Sequence, residues 1–255
     1  MNSAVSPRFL FSEAGVIYNS LMSAEETIRD NVQRFIEALQ TQLAQIGRPP
    51  ESVTVVAVSK TMTARTINAA ARAGLTNFGE NRLQEAQEKI RNVTHAQLLS
   101  WHFVGHLQTN KAKDAVALFD LIQSVDRLEL AEVLDQRARA IDRRQDVLIQ
   151  VNTTAEPQKS GCRPDQVDHL VSRVAGLANL RVMGLMTIGP MTRDETAIAQ
   201  SFKILRRTFE RASTSDLRGG EMRHCSMGMT DDWQIALAEG SNMLRIGRAI
   251  FGEHH

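Results

Sequence analysis

Cysteine is nearly absent: Cys162 and Cys225 are the only two in 255 residues. Two cysteines build no disulfide framework, and their spacing fits no zinc site, which suits a reducing cytoplasm. Both read as small apolar core residues. Charge of one sign is missing as well. The chain carries 30 basic and 29 acidic residues, a net charge of +1. That balance offers no basic footprint for nucleic acid and no polybasic patch for a membrane surface. No apolar run is long enough to span a bilayer. Residues 9–16 are apolar but broken by Glu13, and with one basic residue ahead of them, Arg8, they make a poor signal peptide. Linkers, low-complexity tracts and solenoid repeats are missing too. Residues 1 to about 22 read as a loosely ordered extension and residues 23–255 as one domain. His254 and His255, the last two residues, are given no role.

What is present is a full core's worth of apolar residues, 42% of the chain, and a regular alternation. Ser23 followed by Glu25 and Glu26 fits a capping box. Behind it, a helix over residues 24–46 puts Ile28, Val32, Phe35, Ile36, Leu39 and Leu43 on one face. Gly47, Pro49 and Pro50 stop it. Residues 53–59 are then apolar, β-branched and without helical period, which reads as a buried parallel strand. Strands are expected next at 76–79, 101–104, 121–123, 147–151, 182–186, 222–226 and 243–246. Helices are expected between them at 64–73, 82–91, 111–118, 128–141, 164–174, 197–211 and 231–239, with Pro164 in a first turn. Eight strands alternating with helices argue for a single TIM-type (β/α)8 barrel, with an extra N-terminal helix in front. An open doubly wound sheet is the alternative. Arg82, Glu85 and Lys89 read as a solvated helix face with weak spaced pairs.

Function in such a barrel gathers where the strands end. Lys60 ends the first strand. A partly desolvated lysine there can attack a carbonyl; the plainer reading is an ammonium that snorkels to solvent. After the seventh strand stand Ser226, Met227 and Gly228, and after the eighth Gly247, Arg248 and Ala249. The loops at these two exits often hold a phosphate in barrels. Ser226 adds a hydroxyl donor, the two glycines keep side chains away, and Arg248 adds charge. Arg245, inside the eighth strand, can donate to an aromatic ring nitrogen. A lysine, a phosphate cradle and a group facing a pyridine nitrogen are the protein side of a pyridoxal 5′-phosphate (PLP) site. His102 and His106 share a face only on a helix, and this segment reads as strand and turn, so no metal is assigned. Gln108, Asn110 and Lys111 are expected to begin a helix and line the barrel mouth.

These stretches resemble the pyridoxal phosphate homeostasis protein family. The matching segments are Ala57-Val58-Ser59-Lys60, Phe78-Gly79-Glu80-Asn81, residues 101–111, Lys159-Ser160-Gly161, Gly184-Leu185-Met186, residues 226–232, Arg245-Ile246-Gly247 and Phe251-Gly252. They run in family order over about residues 24–253. The resemblance implies a barrel like the N-terminal domain of alanine racemase, with PLP held as a Schiff base on Lys60 and Asn81 beside it. It also implies phosphate contacts at Ser226, Met227, Gly247, Arg248 and Ala249, and Arg245 facing the pyridine nitrogen. One departure is Arg248, where family members carry a small hydroxyl residue, so a side-chain contact is lost there. The implied role is intracellular PLP homeostasis and delivery by a cytoplasmic monomer, with PLP-dependent apoenzymes as transient partners and no efficient catalysis.

Two other functions compete. One is a PLP-dependent racemase or aldolase on the same fold. The other is a cofactor-free aldolase whose Lys60 reacts with a phosphorylated sugar. Alanine racemase takes its second acid/base, a tyrosine, from a separate domain. The chain ends at 255, and its one tyrosine, Tyr18, lies in the extension. Loss of that group removes a factor of roughly 10² to 10⁴ from proton transfer.

Overall fold

The computed structural model describes residues 13–154, 156, 158–214 and 221–253, with backbone only over 13–23. Eight parallel strands close into a barrel in chain order, with β8 hydrogen-bonded back to β1. They are β1 Thr54–Val58, β2 Asn77–Glu80, β3 Ser100–Phe103, β4 Leu121–Val125, β5 Gln145–Gln150, β6 Leu180–Met186, β7 His224–Ser226 and β8 Met243–Ile246. The helices are α1 Glu13–Gln45, α2 Ala64–Arg72, α3 Leu83–Asn92, α4 Ala112–Leu118, α5 Leu128–Arg139, α6 Val167–Ala175, α7 Glu195–Ser213, α8 Trp233–Ala238 and α9 Arg248–Phe251. The open-sheet alternative is thereby excluded.

Two helix starts differ from expectation. The first helix already runs at Glu13, so Ser23 lies inside α1 instead of capping it. Residues 1–12 of the expected extension, and His254 and His255, fall outside the described residues. Pro164 stands in the turn before α6, which starts at Val167. No helix among the described residues is long and apolar enough to cross a membrane.

The apolar stripe of α1 buries as its period requires: Ile28, Val32, Phe35, Leu39 and Leu43 are all in the core. Phe35 meets Trp233 of α8 edge to face at 5.5 Å, and Asn31 Nδ2 donates to the Ile250 carbonyl of α9 at 3.0 Å. The extra helix therefore covers the seam where β8 rejoins β1. A separate small cluster contains Val56, Leu121, Leu148, Met183, Met186 and Met243. Met243 and Arg245 lie two apart on β8 and share a face. Gln123 Nε2 reaches the Met243 sulfur at 3.3 Å across the sheet, which identifies that face as the barrel's interior.

Candidate functional site

A cleft of about 350 Å³ opens at the carboxyl ends of the strands. Lys60, Asn81, His106, Asn152, Lys159 and Arg245 line it, with Ile188, Met191 and Met229 on its apolar side. Three expected site residues thus line one cleft: Lys60 and Asn81 from the exits of β1 and β2, and Arg245 from within β8. Asn81 follows β2 directly. Its Oδ1 is buried and has no hydrogen-bond partner among the described residues. A buried polar atom without a partner is costly, and an orphan at a cleft wall marks a place for a donor.

Lys60 differs in one respect from expectation. β1 ends at Val58, and Lys60 follows in an exposed turn. Thr61, the next residue, has a left-handed backbone at φ 64°.

Arg245 is 4% exposed. Its Nη1 donates to Ser226 Oγ and its Nη2 to the Thr187 carbonyl, both at 2.6 Å. Burial lowers its pKa to about 10, against an opposing pull from the Asp232 carboxylate, so it stays a cation at neutral pH. From Ser226 a row of buried polar groups descends through the barrel. Ser226 Oγ donates to Gln123 Oε1 at 2.8 Å. Gln123 Nε2 meets His102 Nδ1 at 2.9 Å. His102 Nε2 lies 3.2 Å from both Asn77 Oδ1 and Ser100 Oγ, at the opposite end of the strands. Burial, helped by repulsion from His224, pushes the His102 pKa down to about 3.

The other expected residues sit around this frame. Ser226 is fully buried below the cleft, with its hydroxyl committed to Gln123. The Met227 amide donates to the Met243 carbonyl at 3.2 Å. Gly247 begins the turn into α9 and lies against the end of β1: a Cβ placed on it would stand 3.5 Å from the Val58 carbonyl oxygen. Arg248 turns its guanidinium into an exposed ion pair with Asp231. The Ala249 amide points at Thr230 Oγ1, 3.4 Å away.

Sequence reading missed several groups. Gln108, Asn110 and Lys111 do begin the next helical segment, but the loop after β3 lines the cleft through Val104, Gly105 and His106 instead. The two histidines part company: His102 is locked in the interior, whereas His106 is exposed and meets Ser160 Oγ at 3.2 Å. Asn152 carries no signal in the sequence, and Lys159 stands there only within the segment Lys159-Ser160-Gly161 of the family resemblance; both line the cleft. They come from the loop after β5. Lys89 is not on a solvated face; its ammonium is 2.9 Å from Glu80, a fully buried carboxylate.

The family described as alanine racemase, N-terminal domain, matches residues 28–255. The pyridoxal phosphate homeostasis protein of Pasteurella multocida is 38% identical over 227 residues, covering 89% of this chain and 97% of the relative. The chain belongs to the pyridoxal phosphate homeostasis protein family. Among solved members of that family, PipY of Synechococcus elongatus PCC7942, with PLP bound, is 35% identical. That match covers 84% of this chain and all of PipY, with a TM-score of 0.74. Alanine racemase of Corynebacterium glutamicum shares the fold alone, at 15% identity and a TM-score of 0.70, over 90% of this chain and 62% of the racemase. The family and the barrel expected from the strand-exit motifs both hold.

Proposed function

We propose that this protein holds PLP as a Schiff base on Lys60 and serves intracellular PLP homeostasis without efficient turnover. One observation carries the reading: Lys60, the partnerless Asn81 Oδ1 and the Arg245 cation line a single cleft at the strand ends. The PLP-bound PipY relative supports it. When bound, PLP supplies an aldehyde for a lysine amine and an electron-withdrawing ring. Lys60 provides that amine, and Asn81 an acceptor beside it. The turn of Gly247, Arg248 and Ala249, packed against the end of β1, holds the phosphate. Ser226 and Met227 act from beneath, Ser226 by fixing the Arg245 guanidinium. Arginine only donates. A permanent cation at a ring nitrogen keeps that nitrogen unprotonated and weakens the ring as an electron sink. The reading therefore favours storage, and handover to apoenzymes by a monomer, over chemistry on amino acids.

Borohydride reduction followed by peptide mapping tests it. The pyridoxyl group is expected on Lys60, and Lys60→Ala should abolish the reducible adduct. Modification at Lys111 or Lys159 instead would refute the assignment. Alanine, serine and threonine should be turned over far below the ordinary enzyme range of about 1 to 10³ s⁻¹. A rate inside that range would favour a racemase or aldolase, with His106, the imidazole lining the cleft, as the first base to replace.

A further inference from the structure

Groups outside the cleft hold the turn that presents Lys60. The Met62 amide donates to the Ser59 carbonyl at 3.0 Å, closing a four-residue turn with Lys60 and Thr61 at its centre. Thr61 occupies the second central position at φ 64°. A β-branched residue adopts that region rarely, and only where its surroundings enforce it. The Ser59 carbonyl also accepts from Lys89 Nζ at 2.8 Å. The same ammonium meets both Glu80 carboxylate oxygens, at 2.9 and 3.0 Å. The Ser59 hydroxyl donates to Glu80 Oε1 at 2.6 Å. Glu80 ends β2, and the next residue is Asn81. One buried ion pair thus fastens both segments that enter the cleft at Lys60 and Asn81.

Energy is a poor reason for this pair to exist. Buried ion pairs commonly stabilise no better than apolar residues of equal size. Its place is more telling. Neither Lys89 nor Glu80 lines the cleft, yet the ammonium's three donors go to the Ser59 carbonyl and the Glu80 carboxylate.

We propose that Lys89 and Glu80 are positioning residues for Lys60: the pair clamps the strained turn so that the amine stands where it can meet an aldehyde-bearing ligand. This rests on the reading that Lys60 carries PLP. The distinguishing experiment compares two ligands, PLP and pyridoxine 5′-phosphate. Both share the ring and the phosphate, but pyridoxine 5′-phosphate has an alcohol in place of the aldehyde and cannot form a Schiff base.

In the double variant Glu80→Gln with Lys89→Met, PLP affinity should fall about tenfold or more while pyridoxine 5′-phosphate stays within about twofold, since misplacing a reacting group can cost up to about a hundredfold. Adding Thr61→Gly should restore most of the loss, because glycine adopts the turn unaided. Ser59→Ala, a milder change that removes one contact to Glu80, should shift the two affinities apart in the same sense. If both ligands weaken in parallel, or neither changes, the clamp is refuted. If wild-type protein forms no adduct on Lys60 in the mapping experiment, the proposed function fails first; a normal wild-type adduct with an unmoved affinity ratio would defeat the clamp alone.

Discussion

Gly228 and Gly247 look equivalent in the sequence, each following a strand in a loop expected to hold phosphate. The fold separates them. Gly228 sits at φ 96°, and a Cβ there would stand 2.5 Å from the Ala236 Cβ and 2.9 Å from Leu244 Cδ2. Gly247 has φ −110° and nothing closer than 3.5 Å. Gly228→Ala should therefore cost roughly 2 to 5 kcal/mol, adding left-handed strain to overpacking. Gly247→Ala should cost under about 1 kcal/mol of stability, as for a site with room. Its effect should appear in PLP affinity instead. Urea unfolding of both variants checks this, and equal losses would contradict the geometry. Thr61 makes the same point in reverse. Its left-handed backbone stores about 1 to 3 kcal/mol one residue from the proposed Schiff-base lysine, which is where strain of this kind tends to serve a purpose.

Strands and helices are where the sequence speaks most clearly. Short β-branched apolar runs without helical period stand apart from segments with a period of 3.6, and eight alternations suffice to name the barrel. Starts are less legible. Ser23 and the glutamates behind it have the chemistry of a cap, but nothing at residues 13–22 breaks the helix, so α1 simply continues upstream. Pairings across elements are hidden almost entirely. Lys89 in α3 shows one visible neighbour, Glu85 at helical spacing, and that contact is 3.9 Å. Its real partner, Glu80, is on the preceding strand, and only the β2–α3 packing brings the two together. Likewise Ser226 and Gln123 meet 103 positions apart. Lys60 and Arg245 could be read because each follows or occupies a recognisable strand, and Asn81 through the resemblance to the family. Asn152 could not, because the loop that carries it has no period; Lys159 was visible only as part of a segment that resembles the family. The hidden pair makes an element-scale prediction. Lys89→Met leaves the Glu80 carboxylate buried without its cation, which should cost about 3 to 5 kcal/mol. Replacing both residues together should cost clearly less. Thermal or urea unfolding of the single and double variants decides it, and a single variant as stable as wild type would show that Glu80 is not charged in the fold.

Across the whole molecule, the polar row inside the barrel ties stability to pH. His102 has a folded pKa of about 3 against 6.5 when unperturbed. Between those values the unfolded chain binds a proton that the folded one does not. Stability should therefore be full above about pH 6.5 and fall as pH drops toward 3, by at most about 1.4 kcal/mol per pH unit from this residue. The difference in unfolding free energy between wild type and His102→Gln, followed from pH 7 to pH 4, isolates that share. A constant difference would mean that His102 is protonated in the fold. The same row has a second property. Guanidinium offers hydrogens and accepts none, so the first link is fixed by chemistry: Arg245 gives to Ser226. In the structure Ser226 then gives to Gln123 Oε1, which turns the Gln123 amide nitrogen toward His102 Nδ1. His102 must then carry its own hydrogen on Nε2, toward Asn77 and Ser100. The lumen consequently has a grain. Read in this sense, the donations run from mouth to floor, and the arginine at the head fixes the direction of the first.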